Sequence, residues 1–253
     1  MKTAAIIQAR STSTRFPGKV LTKFTLPSGS QITNLDLLTY RLKRVNNLDD
    51  IIIAIPVQDL PLINYCTLHG FQYYEGHPTN VRERVIKCAK ENDVDIIVDI
   101  TADCPFVDPN HVHDLICVMK YSNSIIYASN IEPRTWPDGF DVQVYRTRSL
   151  IWGNEKQSYE IAPNVGYHLL CMVKLFHSEL SSIVMFNLSS PNVLTFPEMR
   201  LTLDTPEDAK VLDHVLHALG PKASAIEIIL YMIRHPEIRE INKHIKPKDP
   251  SEG

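Results

Sequence analysis

The sequence predicts an open α/β fold, a mostly parallel sheet with helices packed on both faces. Three observations carry this. Strand-length runs are almost continuously apolar: Ala4 to Ile7, Asp50 to Val57 (DIIIAIPV) and Val94 to Ile100 (VDIIVDI). Such runs belong to parallel strands buried on both faces. The segments between them carry apolar residues at helical spacing. The elements alternate β-α-β-α-β-α-β through Ala128, the order that builds a doubly wound sheet.

The elements follow in order. The first strand leads into the loop Gln8-Ala9-Arg10-Ser11-Thr12-Ser13-Thr14-Arg15-Phe16-Pro17-Gly18-Lys19. Val20, Leu21 and Phe24 are apolar, and Pro27-Ser28-Gly29-Ser30 marks a turn. Leu35, Leu38, Leu42 and Val45 fall on one helical face. After the strand at 50–57 comes a short helix over 61–69, ended by Gly70, and a short strand over 71–74. Glu75 to Asn80 forms a loop with a helix start, and Val81, Val85, Cys88 and Ala89 mark the next helix. The strand at 94–100 ends in Thr101-Ala102-Asp103-Cys104-Pro105. Val112, Leu115, Ile116 and Met119 give another helical stripe, and 124–128 reads as a strand.

Residues 130–200 break the rhythm. Pro133 to Gly139 is turn-rich, Phe140 to Tyr145 alternates like a strand, and a helix fits 167–176. This region reads as a small inserted subregion that covers the sheet. The last unit places a strand at Leu201-Thr202-Leu203 and a helix after it. Thr205 suits the N-cap, Pro206 the first helical position, and Glu207 and Asp208 the first turn. Ala209, Leu212, Val215, Leu216 and Leu219 form its stripe; Ile226, Ile229, Leu230 and Ile233 form one more. The chain thus reads as one domain over 1–241 with a polar, frayed tail over 242–253.

Composition narrows the class. The chain has 253 residues, 44% hydrophobic and 22% charged, enough to bury a core without metal or disulfide support. A net charge of −3 gives no basic footprint for nucleic acid. Five cysteines, at 66, 88, 104, 117 and 171, show no C-x-x-C pair and read as buried thiols. No signal peptide and no bilayer-length apolar run is apparent, so the expectation is a soluble cytoplasmic protein.

The loop after the first strand concentrates Arg10, Arg15 and Lys19 among small and hydroxyl residues. At the C-terminal end of a parallel strand, such a loop suits an anionic ligand, here a nucleoside triphosphate. Arginine forks hold phosphate oxygens in pairs, and lysine supplies a point charge. A solvated basic loop is the plainer reading. Asp103 and Asp204 each follow an expected strand, and two such carboxylates can share a Mg²⁺ ion. A turn former at 103 and a helix cap at 204 are the plainer readings. In Trp136-Pro137-Asp138-Gly139-Phe140-Asp141, Asp138-Gly139 signals a hairpin turn, or the loop contacts an acceptor through Arg134, Asp138 and Asp141. His111 and His113 read as surface residues and His168 as packing. The Walker, G-x-G-x-x-G and G-x-S-x-G motifs are absent.

These residues resemble a known family. AIIQARSTSTRFPGKVL is similar to the A-x-I-x-A-R-x-x-S-T-R-x-P-G-K signature of sugar-acid cytidylyltransferases, in the branch of the spore coat polysaccharide biosynthesis protein F group. Ile100 to Pro109 (ITADCPFVDP), Trp136 to Val142 (WPDGFDV) and Leu203 to Asp208 (LDTPED) resemble that group's T-G-D-C-P-L-I-D-P, Y-P-D-G-L-D-V and V-D-T-P-E-D. The resemblance implies a three-layer α/β/α sandwich like that of nucleotide-diphospho-sugar transferases. It also implies CTP as donor, Mg²⁺ as cofactor, release of pyrophosphate and a homodimer.

Carried over by position, Ala9, Arg10, Ser11, Ser13, Arg15 and Lys19 hold the nucleotide with Asp103. Arg82 and Arg84, in the stretch Asn80 to Arg84 that matches D-V-L-D-R, lie near the base or ribose. Lys19, Arg15 and Asp103 are the catalytic set, Asp103 and Asp204 the Mg²⁺ ligands. Arg134, Asp138, Asp141 and Glu160 face a small acidic acceptor. Two departures concern that acceptor: Ile161 stands where the group's R-E-H-V-T-P-Y has histidine, and the loop Thr25 to Thr33 is longer. Two rival readings remain, a glycosyltransferase that uses a finished nucleotide sugar and a non-catalytic nucleotide-binding homologue.

Overall fold

The computed structural model describes residues 1–156 and 184–246. Its main sheet has seven strands in the order β5-β4-β1-β6-β8-β7-β9. These are β1 (Thr3–Gln8), β4 (Asp50–Pro56), β5 (Tyr73–Gly76), β6 (Ile96–Thr101), β7 (Ile125–Ser129), β8 (Gln143–Arg146) and β9 (Val184–Asn187). A two-stranded ribbon, β2 (Lys23–Thr25) with β3 (Gln31–Thr33), stands apart from it. Every pairing in the main sheet is parallel except those of β8, which runs antiparallel to β6 and β7.

The helices among the described residues are α1 (Asn34–Leu42), α2 (Leu60–His69), α3 (Val81–Glu91), α4 (Pro109–Tyr121), α5 (Thr147–Lys156), α6 (Pro206–Leu219), α7 (Ala225–Arg234) and α8 (Pro236–Arg239). Strand alternation sorts them into layers. Ala5, Ile7, Ile53 and Ile55 face a core with Leu35 and Leu38 of α1, Leu62 of α2 and Leu115 of α4. Ala4, Ile6, Ile52 and Ala54 face the other way, onto Val85 and Ala89 of α3 and Leu150 of α5. The result is the expected three-layer α/β/α sandwich.

A third core closes the edge of the sheet where the parallel strands end. Phe24, Phe106, Trp136, Phe140, Leu201 and Leu203 pack there against Val211 and Leu212 of α6 and Ile228 and Ile229 of α7. Buried Arg41 of α1 ties this edge together. Its guanidinium donates to the carbonyls of Phe106, Val107 and Pro221.

Several expectations are corrected. Leu201 to Leu203 is not a strand of the sheet. Its backbone instead joins two loops: Leu201 N–H donates to Asp138 O at 2.6 Å and Leu203 N–H to Asp103 O at 2.8 Å. The region expected to cover the sheet contributes β8, an interior strand. Asp138-Gly139 does not close a tight hairpin, because residues 130–142 separate β7 from β8. The strands expected at 71–74, 94–100 and 140–145 occupy 73–76, 96–101 and 143–146. His111 is buried, its ring 4.2 Å from that of Trp136. Asn242, expected in a frayed tail, is also buried and donates to Arg200 O and Asp208 Oδ1. The expected helix at 167–176, Glu160, His168 and Cys171 lie outside the described residues.

Candidate active site

The loops after β1, β6 and β7 leave the sheet at one edge. The β1 loop is closed by Gly18 N–H to Ser11 O at 2.9 Å and anchored by Ser11 N–H to Asp59 Oδ2 at 2.7 Å. Asp59 caps α2 and had carried no sign of this second role in the sequence. Gly18 has φ +73°, a left-handed geometry that costs glycine little. From there the chain enters a single 3₁₀ turn, Lys19–Leu21, which turns Lys19 back toward the other loops.

Lys19 Nζ lies 2.9 Å from Asp103 Oδ2 and 2.8 Å from Asp204 Oδ1. The second oxygen of Asp204 meets Arg15 Nη2 at 2.8 Å and Arg200 Nη2 at 3.1 Å. Residues 103 and 204 meet because their backbones are joined: Leu203 N–H and Thr202 Oγ1 both donate to Asp103 O. Burial alone would lower the Lys19 pKa, but the fields of Asp103 and Asp204 and its hydrogen bonds to them raise it. Burial works against Asp204 as well, yet Lys19, Arg15 and Arg200 hold its carboxyl below the usual range.

The residues expected to face the acceptor form a second, adjoining group. Arg134 pairs with both oxygens of Asp141 at 2.6 Å each. Asp138 is held more loosely, 3.8 Å from Arg134 Nη1 and 3.5 Å from Arg200 Nη1. Burial and the charge of Asp141 raise the Asp138 pKa to about 7, against the pull of Arg134 and Arg200. Gly139 (φ +113°) lets this loop press on the Leu201 backbone; a Cβ there would lie 2.3 Å from Leu201 C. Trp136 Nε1–H fixes the far side by donating to Leu188 O at 2.9 Å.

Arg82 and Arg84 are buried on α3. Arg84 Nη1 donates to His77 O at 2.7 Å, and its stem packs on Gly76, where a Cβ would lie 2.6 Å from Arg84 Cγ. Burial, then repulsion by exposed Arg10, lowers the Arg84 pKa to about 10. Ala9 is buried and extends the β1 edge by donating to Ala54 O; Ser13 is half-buried in the loop.

The sequence reading missed Arg200 and the larger part played by Asp208. Arg200 grips both Asp208 oxygens, at 2.8 and 2.9 Å. Asp208 also accepts the Asp204 and Thr205 N–H groups, at 3.0 and 2.9 Å. The capping box at Thr205 and Asp208 was the available signal.

Two carboxylate oxygens, one each from Asp103 and Asp204, thus converge on one cationic position. Hard oxygen donors of this kind suit Mg²⁺. Among the described residues no group of three or more His, Cys, Asp or Glu is placed to hold a metal, so a cation here would need ligands from water or substrate.

A parallel-sheet edge that gathers a cationic loop and paired acids defines a nucleotide-handling enzyme of the α/β/α class. The chain belongs to the cytidylyltransferase family, whose sequence model matches residues 4–160. It is therefore a CTP-dependent nucleotidyltransferase, which sets aside the glycosyltransferase and non-catalytic readings. It is 29% identical to spore coat polysaccharide biosynthesis protein SpsF of Bacillus subtilis, over 92% of this chain and 94% of that protein. The fold is similar to that of a cytidylyltransferase from Leptospira borgpetersenii, with TM-score 0.81 and 23% identity over 98% of this chain and all of that one. It is also similar to a CMP:2-keto-3-deoxy-manno-octonic acid synthetase solved with CTP, with TM-score 0.62 and 15% identity over 86% and 99% of the chains. No described helix is long and apolar enough to cross a membrane.

Proposed function

We infer that this enzyme transfers CMP from CTP to an oxygen of an acidic, polyhydroxylated acceptor and releases pyrophosphate, with Mg²⁺ held by Asp103 and Asp204. The convergence of Asp103 Oδ2 and Asp204 Oδ1 on Lys19 Nζ carries this reading. A role in surface polysaccharide synthesis is supported by the name of the Bacillus relative, and a sugar acid as acceptor by that of the octonic acid synthetase.

In the reaction the acceptor oxygen attacks the α-phosphorus. The bond to the bridging oxygen of the β-phosphate breaks, and its electron pair leaves with pyrophosphate. When bound, the cation neutralises charge on the phosphate oxygens. Lys19 and Arg15 exchange their carboxylate partners for phosphate oxygens and offset the charge that builds on the leaving group. Arg10 and Arg84 hold the donor from the other side of the loop. Asp138, whose proton leaves near neutral pH, takes the hydrogen of the acceptor hydroxyl. Arg134 is already paired with Asp141, so the pair orients hydroxyl groups in preference to gripping a carboxylate.

The test is a pyrophosphate-release screen of CTP, ATP, GTP and UTP with Mg²⁺ against acidic sugars, including 3-deoxy-manno-octulosonate. Release with CTP and an acidic sugar is expected. Release that requires a neutral or phosphate acceptor would overturn the acceptor class.

A further inference from the structure

Arg200 stands behind the cluster, with its side chain only 6% exposed. Its guanidinium meets three carboxylates, from two parts of the chain. Nε and Nη2 take the two oxygens of Asp208 at 2.8 and 2.9 Å. Nη2 also donates to Asp204 Oδ2 at 3.1 Å, and Nη1 faces Asp138 Oδ2 at 3.5 Å. Asp208 is fully buried and is itself fixed by the Asp204 and Thr205 N–H groups and by Asn242 Nδ2. A planar fork held at both ends in this way has one orientation. The carboxylate of Asp204 is tied to it directly, and the Asp204 backbone through Asp208. A lysine ammonium at 200 keeps the charge but cannot span the three partners.

We propose that Arg200 is a positioning residue: it sets the Asp204 carboxylate for the divalent cation and ties that setting, through Asp138, to the acceptor loop. The proposal rests on the reading of Asp103 and Asp204 as cation ligands. Groups that orient a ligand from behind typically change metal affinity by about 10–100-fold when replaced. Arg200 differs from Arg15 and Lys19 in that it stays in place. Its partner Asp208 is fully buried and its own side chain 6% exposed, whereas those of Arg15 and Lys19 are 34% and 16% exposed.

The test uses Arg200→Lys in the full chain, saturated with CTP, with Mn²⁺ as the probe. Free Mn²⁺ is read by electron paramagnetic resonance, so no turnover is needed. The expected result is an Mn²⁺ Kd raised by about 10–100-fold, with CTP affinity in EDTA unchanged. A lowered melting temperature with unchanged Mn²⁺ affinity would make Arg200 merely structural and overturn the proposal. Should Arg200→Lys not fold, the wild-type guanidinium serves as reporter in ¹⁵N-arginine-labelled protein. Its side-chain signals shift when Mg²⁺ is added to the CTP complex; unshifted signals overturn the proposal. A wild-type CTP complex that takes up no Mn²⁺ removes the cation reading itself, and this proposal with it, before any variant is compared.

Discussion

Lys19 bridges Asp103 and Asp204 with little room for compensation. A half-buried ammonium is tolerated because two carboxylates meet it, and those carboxylates because it meets them. Asp103→Asn removes one hard donor while keeping the side-chain shape. Pyrophosphate release with CTP and Mg²⁺ should be abolished, with the circular dichroism spectrum unchanged. Lys19→Ala should lower kcat by about 10²–10³-fold, the range found when one stabiliser of developing charge is removed. A change confined to acceptor KM would contradict its role. Asp138 adds a pH signature. Its carboxyl titrates at about 7 when folded and at about 4 in an unfolded chain. Between those values the folded form keeps a proton that the unfolded form has lost. Its contribution to stability therefore falls as pH rises from about 4 to about 7 and is level outside that window. Urea unfolding at both ends of the window should show a smaller decline for Asp138→Asn than for wild type. An equal decline would contradict the raised pKa.

At this scale the sequence exposed residues that follow strands, because strand ends are legible. Arg15, Lys19 and Asp103 were singled out in that way, and the structure joins Arg15 and Lys19 to Asp204 and Lys19 to Asp103. Arg200 and Asp59 were not, because their meaning lies in partners far along the chain, such as Asp138 and Ser11. His111 was misread for a related reason. Its helix position suggests solvent, but Trp136 and Phe140 fold back over it.

Among the elements, the segment Leu201 to Leu203 shows how far a pattern can mislead. Apolar residues flank Thr202 as they would in a strand, and all three are buried. Their hydrogen bonds go to Asp138 and Asp103 in two different loops. That use of the backbone, invisible in the pattern, brings the Asp103 and Asp138 loops together. Gly139 makes the approach possible. Gly139→Ala places a Cβ 2.3 Å from Leu201 C at a φ of +113°, a strained conformation costing about 1–3 kcal/mol before the clash is counted. Denaturant unfolding should show a loss at least that large. A neutral substitution would mean that the loop does not press on Leu201. The helix that follows was read correctly to its cap, since Thr205, Pro206 and Asp208 are local signals.

For the whole molecule, the alternation of buried strands with helical stripes was sufficient to predict the layers. It was silent on strand order, which depends on crossovers and on β8 entering the sheet in reverse. The three loops that build the site share one edge because β1, β6 and β7 run in one direction, which is the reason an open parallel sheet concentrates ligand groups there. Ligand binding should stabilise the entire fold. At CTP concentrations near 100 times Kd, linkage supplies about 2.7 kcal/mol. Thermal unfolding should rise more with CTP than with GTP, and equal shifts would deny base selection.

The central claim is that Asp103 and Asp204 hold a divalent cation against the triphosphate that Lys19 and Arg15 grip. Calorimetry of CTP binding, in Mg²⁺ and in EDTA, for wild type and Asp103→Asn tests it most directly. Wild type should bind CTP more tightly with Mg²⁺ than in EDTA, and Asp103→Asn should lose that difference while still binding CTP in EDTA. The same Mg²⁺ enhancement in Asp103→Asn would contradict the account.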